Sequence, residues 1–237
     1  MQNEIQSALS DYFQEPELKL SWLAGDGSDR KYYRLERPKP GSDNEFKTAV
    51  IMLLSGQDAD KLRQEDYEWI SVAQTMRDHD IRVPEVYDII KDQQIIAIED
   101  YGNITLQNRV NELLAKDDWG SVKSLYLQCF KIIFKMLSIP MSAKQKWMER
   151  KFDFEKLHWE LRFFNQEFTE RFLKDKLSSK EFAELEREFE AIAKRLGGET
   201  GYFVHRDFHS RNLMLIDQSA PAVIDFQDAR DGNIYYD

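Results

Sequence analysis

His205-Arg206-Asp207-Phe208-His209-Ser210-Arg211-Asn212 is the stretch on which the reading of this chain turns. Its pattern is H-R-D-x-x-x-x-N. Asp207 offers a carboxylate that can accept a hydroxyl proton, which makes it the candidate catalytic residue. Five residues on, Asn212 can turn an amide oxygen towards a metal ion. Val223-Ile224-Asp225-Phe226-Gln227 follows, a buried-type strand ending in a carboxylate, and Asp225 is the second candidate metal ligand. Phosphoryl transfer to a hydroxyl asks for these parts: a carboxylate at the attacking oxygen, metal ions on the phosphate and placement of both. Each piece alone is ordinary, since HRD is by default a turn with solvated charges. The loop and the correctly spaced apolar-Asp-Phe together are specific.

The bulk composition excludes several alternatives. With 237 residues, of which 42% are apolar, there is chain enough for one large domain or two small lobes. The one cysteine, Cys129, rules out an internal disulfide framework and a cysteine zinc cluster, and its helical setting reads as core. The net charge of −10 argues against nucleic acid as partner. The acidity sits early: residues 1–100 hold 12 Lys and Arg against 21 Asp and Glu, whereas residues 101–237 hold 21 against 22. It reads as a solvated acidic surface. The start is polar, unlike a signal peptide, and no apolar run approaches membrane-span length, so a cytoplasmic setting without membrane contact is expected. No protein partner can be inferred.

Working outward, strands dominate before residue 99 and helices after it. Residues 5–13 have helical spacing, and residues 18–23 alternate as a half-buried strand. Gly25-Asp26-Gly27-Ser28-Asp29-Arg30 then turns the chain into a second strand at 32–35. Glycines let backbone N–H groups approach phosphate, so Gly25, Gly27 and Ser28 are candidate nucleotide contacts; Arg30 or Lys31 can add charge. A plain hairpin turn is the bland alternative. A polar loop at 38–45 precedes the apolar run at 48–54, which carries no lysine. Lys47 and Arg34 are both candidates to replace that phosphate-binding cation. Residues 60–77 read as one amphipathic helix. Glu65, rather than Glu68, is the better-placed inward glutamate, with a surface carboxylate as the alternative. Strands follow at 85–90 and 95–98.

Glu99-Asp100-Tyr101-Gly102-Asn103 breaks the pattern as a hinge between an N-lobe, 1–98, and a helical C-lobe, 104–237. Helices are expected at 106–114 and at 122–137. The second should be the central helix of its lobe, with Val122, Leu125, Tyr126, Cys129, Phe130, Ile133, Phe134 and Leu137 on its stripe. A basic loop at 144–151 precedes a long aromatic-rich helix at 152–173, most of whose aromatics should be core. A capping box, Ser178-Ser179-Lys180-Glu181, opens a further helix ending at Gly197-Gly198. Strands at 202–204, 213–216 and 222–224 frame the loop. His209 reads as a loop-packing histidine.

On Gly25 to Leu35, Val204 to Met214 and Ile224 to Ala229, the chain resembles the aminoglycoside-phosphotransferase-like branch of the protein-kinase-like family, and within it the bacterial anomeric N-acetylmuramate/N-acetylglucosamine kinases of cell-wall recycling. The resemblance implies an α+β, two-lobed kinase-like fold: an antiparallel sheet lobe plus a mostly helical lobe. It implies an enzyme using ATP and Mg²⁺ to phosphorylate a small-molecule sugar at its 1-hydroxyl. By the same resemblance, Glu99 and Tyr101 offer backbone groups to adenine, Glu160 lies near the sugar, and Asp237 braces the loop backbone. Arg211 meets substrate or phosphate, or is merely exposed. A kinase lobe carries more helices after Asp225, so the segment ending at Asp237 is expected to be incomplete. Kinases of another small alcohol, an aminoglycoside or a choline-like compound, and an inactive nucleotide-binding relative are the competing readings.

Overall fold

The computed structural model describes residues 2–25, 30–38, 46–141, 145–173 and 177–237. A helix, α1 (Gln2–Phe13), leads into β1 (Lys19–Gly25), β2 (Lys31–Glu36) and β3 (Thr48–Leu53). With β4 (Val86–Ile90) and β5 (Ile95–Ile98) these make one antiparallel sheet in the order β1-β2-β3-β5-β4. β3 lies at its centre and is covered on both faces. Ala49 and Ile51 pack with Leu9 of α1 and Leu35, while Met52 packs with Trp69 and Ile96 on the opposite face. Burial on both sides is why this strand reads as an unbroken apolar run.

The helix expected over 60–77 is two helices, α2 (Gly56–Arg63) and α3 (Glu68–Asp78). The break is a Schellman closure without glycine. Glu65 takes φ +60°, its N–H bonds to the Leu62 carbonyl at 3.1 Å, and the Asp66 N–H bonds to the Lys61 carbonyl at 2.9 Å. This geometry turns the Glu65 side chain outward onto Lys91, in an exposed ion pair, so Glu65 is not the inward glutamate.

The remaining helices are α4 (Leu106–Leu114), α5 (Trp119–Leu137), α6 (Phe154–Phe164), which continues as a π-helix over Asn165–Phe172, and α7 (Ser179–Gly197). The expected capping box at Ser178 and Glu181 is present. α5 buries Val122, Leu125 and Cys129 as expected, but its stripe continues through Ile132 and Met136, leaving Tyr126, Phe130 and Phe134 exposed. The aromatics of the long helix depart further from expectation. Trp159, Phe163, Phe164, Phe168 and Phe172 are exposed rather than core. They stack instead along the helix surface, Trp159 on Phe163 at 5.7 Å and Phe168 on Phe172 at 5.5 Å, because four residues bring side chains back to one face.

Two short pairs frame the loop at 205–212. β6 (Tyr202–Val204) pairs with β9 (Arg230–Gly232), and β7 (Leu213–Ile216) with β8 (Ala220–Val223). The core is continuous from Met52 and Trp69 to Leu125 and Phe226. None of the helices of the described residues is long and apolar enough to cross a membrane.

α6 and α7 meet backbone to backbone at Gly197, where an added Cβ would lie 2.3 Å from the Phe154 nitrogen. Gly197→Ala should therefore destabilise by about 1–3 kcal/mol. Gly198→Ala, whose added carbon meets nothing nearer than 3.4 Å, should cost less than about 1 kcal/mol. Urea unfolding of both variants distinguishes this close approach from a general intolerance of the helix end.

Candidate active site

His205 is fully buried, and its two ring nitrogens set the geometry around it. Nε2 lies 3.1 Å from the Ile224 carbonyl, and Nδ1 lies 3.2 Å from the Asp207 N–H. The peptide N–H can only donate, so Nδ1 accepts and Nε2 carries the proton. The ring is neutral: burial pushes its pKa down to about 4. It joins the residue before Asp225 to the backbone of Asp207.

Asp237 secures the same loop from the other side. Its carboxylate accepts the His205 N–H at 2.6 Å and the Arg206 N–H at 2.8 Å, the bracing the resemblance implied. Burial raises its carboxyl above the usual range, although the two N–H bonds act the other way. These contacts hold Arg206 at φ +86°, and Asp225 sits at φ +64°. Both are costly for residues with a Cβ and persist only where the surroundings fix them.

The outcome is a convergence of the three residues singled out in the sequence. Asn212 Nδ2 donates to the Asp207 carbonyl at 3.0 Å and to Asp225 Oδ2 at 3.2 Å. With both hydrogens of that nitrogen committed, Asn212 Oδ1 is the atom left for a cation. Gln227 Nε2 donates to Asp225 Oδ1 at 2.8 Å, a contact with no local sequence signal. Asp207 is exposed. Among the described residues no group of three or more His, Cys, Asp or Glu forms a closed metal cage. An amide oxygen beside one carboxylate suits Mg²⁺, which keeps waters and takes the rest of its ligands from phosphates.

Asn212 and Asp225 of this cluster line a cleft of about 510 Å³ between the sheet and the helices, within the usual range for a small-molecule site. Tyr32, Val50, Ile98 and Tyr101 line it together with Asn212 and Asp225. Glu99 donates its N–H to the Glu85 carbonyl at 2.8 Å, closing the sheet edge. The side chains of Glu99 and Tyr101 are both engaged by Arg82, the Tyr101 hydroxyl at 3.2 Å, and burial raises the Tyr101 pKa.

Other candidates divide. Gly25 ends β1, while Gly27 and Ser28 lie outside the described residues. Arg30 is buried, with Nε 3.9 Å from Asp58 Oδ2 on α2. Arg34 does not serve as a phosphate cation: it forks onto Asp100 at 2.7 and 2.9 Å. Lys47 is excluded by register. Thr48 pairs with Glu36 and Leu53 with Lys31, so Lys47 lies at the opposite end of β3 from the Lys31 pairing, about 20 Å away at strand rise. Glu160 reaches the loop, with Oε1 3.2 Å from Arg206 Nη2. The Tyr236 hydroxyl, its pKa raised to about 12 by burial and then by Glu160, donates to the other Glu160 oxygen at 3.3 Å. Arg211 is exposed, and so is His209, contrary to its expected packing role. His205 and the Arg34–Asp100 pair are the features the sequence reading missed.

A family model described as "Phosphotransferase enzyme family" matches residues 20–237. Among curated proteins, the chain is 24% identical to an N-acetylmuramate/N-acetylglucosamine kinase of Neisseria meningitidis, over all of this chain and 64% of that protein. It is 23% identical to the kinase of the same description from Pseudomonas aeruginosa, over 94% of this chain and 59% of that protein. The chain thus spans about three fifths of the length of these relatives. Among solved structures, the streptomycin–ATP–APH(2″)-IIa ternary complex superposes with TM-score 0.64 at 15% identity, over 99% of this chain and 73% of the other. Choline kinase LicA from Streptococcus pneumoniae gives 0.56 at 16% identity, covering 98% and 71%. The fold is therefore kinase-like, an antiparallel sheet followed by helices, as the resemblance implied.

The buried imidazole makes stability depend on pH. The folded pKa lies below the ordinary value near 6.5, so the unfolded chain takes up a proton first as pH falls. Stability is full above about 6.5 and is lost between there and about 4, by up to about 3 kcal/mol. Asp237 acts in the opposite direction: its contribution is full below its ordinary value of 3.8 and is lost as pH rises above it. Urea unfolding at pH 7 and pH 5 should show the loss in the wild type and its removal in His205→Gln.

Proposed function

We propose that this chain, which belongs to the phosphotransferase enzyme family, transfers the γ-phosphoryl group of ATP to a sugar hydroxyl, the anomeric 1-hydroxyl of N-acetylmuramate or N-acetylglucosamine. The observation that carries the reading is the meeting of Asp207 and Asp225 on Asn212, with Asn212 and Asp225 lining the cleft. Asp207 accepts the proton of the sugar hydroxyl as its oxygen attacks the γ-phosphorus, and ADP leaves. Asn212 Oδ1 and Asp225 hold Mg²⁺, which neutralises charge on the phosphates when bound. At residues 99–103 the purine meets the Glu99 carbonyl and the Tyr101 N–H, since the Glu99 N–H is already used in the sheet. Gly25, Gly27 and Ser28 cover the phosphates from the hairpin turn. Glu160, held by Arg206 and Tyr236, presents a carboxylate on the acceptor side, and Arg211 adds an exposed cation there. The amino-sugar assignment is supported by the two curated relatives, which are named for such kinases.

Arg30 fills the role of the absent third-strand lysine. Tyr32 and Arg34 face the cleft from β2, and strand alternation puts Arg30 on the same side, next to the glycine turn. Its closeness to Asp58 on the helix after β3 parallels the cation–carboxylate pair of a kinase, in which one lysine holds phosphates and one glutamate orients it. The arginine fork suits phosphate oxygens as well as a lysine point charge does.

An acceptor panel read by coupled ADP release tests the assignment. N-Acetylglucosamine or N-acetylmuramate should be phosphorylated, and Asp207→Ala should abolish turnover; preference for an aminoglycoside or a choline-like alcohol would replace the substrate reading, and MgATP binding without transfer to any acceptor would replace catalysis by a binding role. Arg30→Ala should lower kcat/KM for ATP by about 100-fold, as loss of a charge-stabilising donor does, with Arg30→Lys retaining more.

A further inference from the structure

One charged side chain beside the cleft, Arg34, is held by four hydrogen bonds and has no part in the chemistry above. Arg34 Nε and Nη2 form a two-point contact with Asp100, at 2.7 and 2.9 Å. Nη2 also donates to the Gly102 carbonyl at 3.0 Å, and Nη1 to Asn103 Oδ1 at 2.7 Å. The pair is largely shielded, with side chains 16% and 6% exposed. Planar, two-point guanidinium–carboxylate contacts fix orientation as well as distance. Asp100 is itself fixed, because its Oδ1 accepts the Gly102 N–H at 2.9 Å, across a turn that Gly102 makes at φ +80°.

The segment that Arg34 grips leads into α4, and its next residues are hydrogen-bonded to the catalytic loop and β7. The Ile104 carbonyl accepts the Leu215 N–H at 2.8 Å, and the Gln107 N–H donates to the Ser210 carbonyl at 3.0 Å. Ser210 lies between Asp207 and Asn212. At its other end, Arg34 belongs to the strand that leaves the glycine turn. One side chain therefore links the turn-bearing strand to the segment hydrogen-bonded to the loop 205–212.

We infer that Arg34, acting through Asp100, is a positioning residue that sets β2 at a fixed distance from the loop bearing Asp207. This rests on the phosphotransferase reading for its kinetic consequence, though not for its mechanical one. Nucleotide binding draws on the cleft as a whole and should survive loss of the link. Transfer requires the γ-phosphorus and the acceptor oxygen to be aligned, which a small misplacement spoils.

The test uses the full chain as Arg34→Met, Asp100→Asn, the double variant and Arg34→Lys. MgATP affinity is measured by calorimetry, transfer of the γ-phosphoryl group is followed to sugar and, without acceptor, to water, and amide hydrogen exchange is measured without nucleotide. Each single neutralising variant should lower the transfer rate at least tenfold while the MgATP Kd changes less than threefold. The double variant should be no slower than the worse single, and Arg34→Lys should recover part of the rate. In Arg34→Met the Leu215 and Gln107 amides should exchange at least tenfold faster, with β4–β5 amides unchanged. A Kd that rises in step with the loss of rate, or single losses that multiply in the double variant, would overturn the inference in favour of direct nucleotide contact. Unchanged Leu215 and Gln107 exchange would overturn it even in a protein that transfers nothing. Wild-type failure to bind MgATP would instead sink the phosphotransferase reading, leaving the exchange result to decide on the link.

Discussion

A neutral imidazole with no access to water holds the two acidic halves of this site together. His205 spends one nitrogen on the backbone before Asp225 and the other on the backbone of Asp207. Protonation would cost one of those bonds and bury a charge, which is why its pKa falls. Asp237 clamps the neighbouring peptides by accepting the His205 and Arg206 N–H groups, and the loop accepts positive φ at Arg206 as the result. Strain of this kind is stable only when several contacts impose it at once. Asn212 then closes the triangle by donating to both Asp207 and Asp225.

The rest of the molecule serves this arrangement by fixing what lies opposite it. Phe226, next to Asp225, packs on Trp69 of α3 at 4.9 Å, so the core that joins sheet to helices runs immediately behind the Asp225 carboxylate. β8 is tied to the sheet side by the Val223 N–H on the Arg82 carbonyl at 2.8 Å, and Arg82 engages Glu99 and Tyr101 on the cleft wall. Each acidic residue of the site is thus backed by packing or by a backbone bond.

The parts of this site that sit in a loop and strand of fixed spacing were legible in the sequence. Asp207, Asn212 and Asp225 announce themselves by spacing, and β3 by its apolar run. What escaped depends on contacts distant in sequence or on a backbone state without its usual residue. The helix break at Glu65 carries no glycine, so periodicity ran through it. Arg34 and Asp100 are 66 residues apart, and neither has a local pattern that names its partner. Hydrophobic character alone does not distinguish the exposed aromatics of α6 and its continuation from core residues. Stacking every four residues along an exposed face satisfies the same rings in part. Lys47 fell to strand register, which a sequence does not display.

The central claim is that the triangle of Asp207, Asn212 and Asp225 directs the γ-phosphoryl group to the 1-hydroxyl of an N-acetylated hexosamine. Phosphorus NMR of the reaction product with MgATP and N-acetylglucosamine tests it most directly. A phosphate resonance coupled to the anomeric proton, absent with Asp207→Ala, is the predicted result. Phosphate on any other oxygen, or unmodified sugar beside protein that binds MgATP, would contradict it.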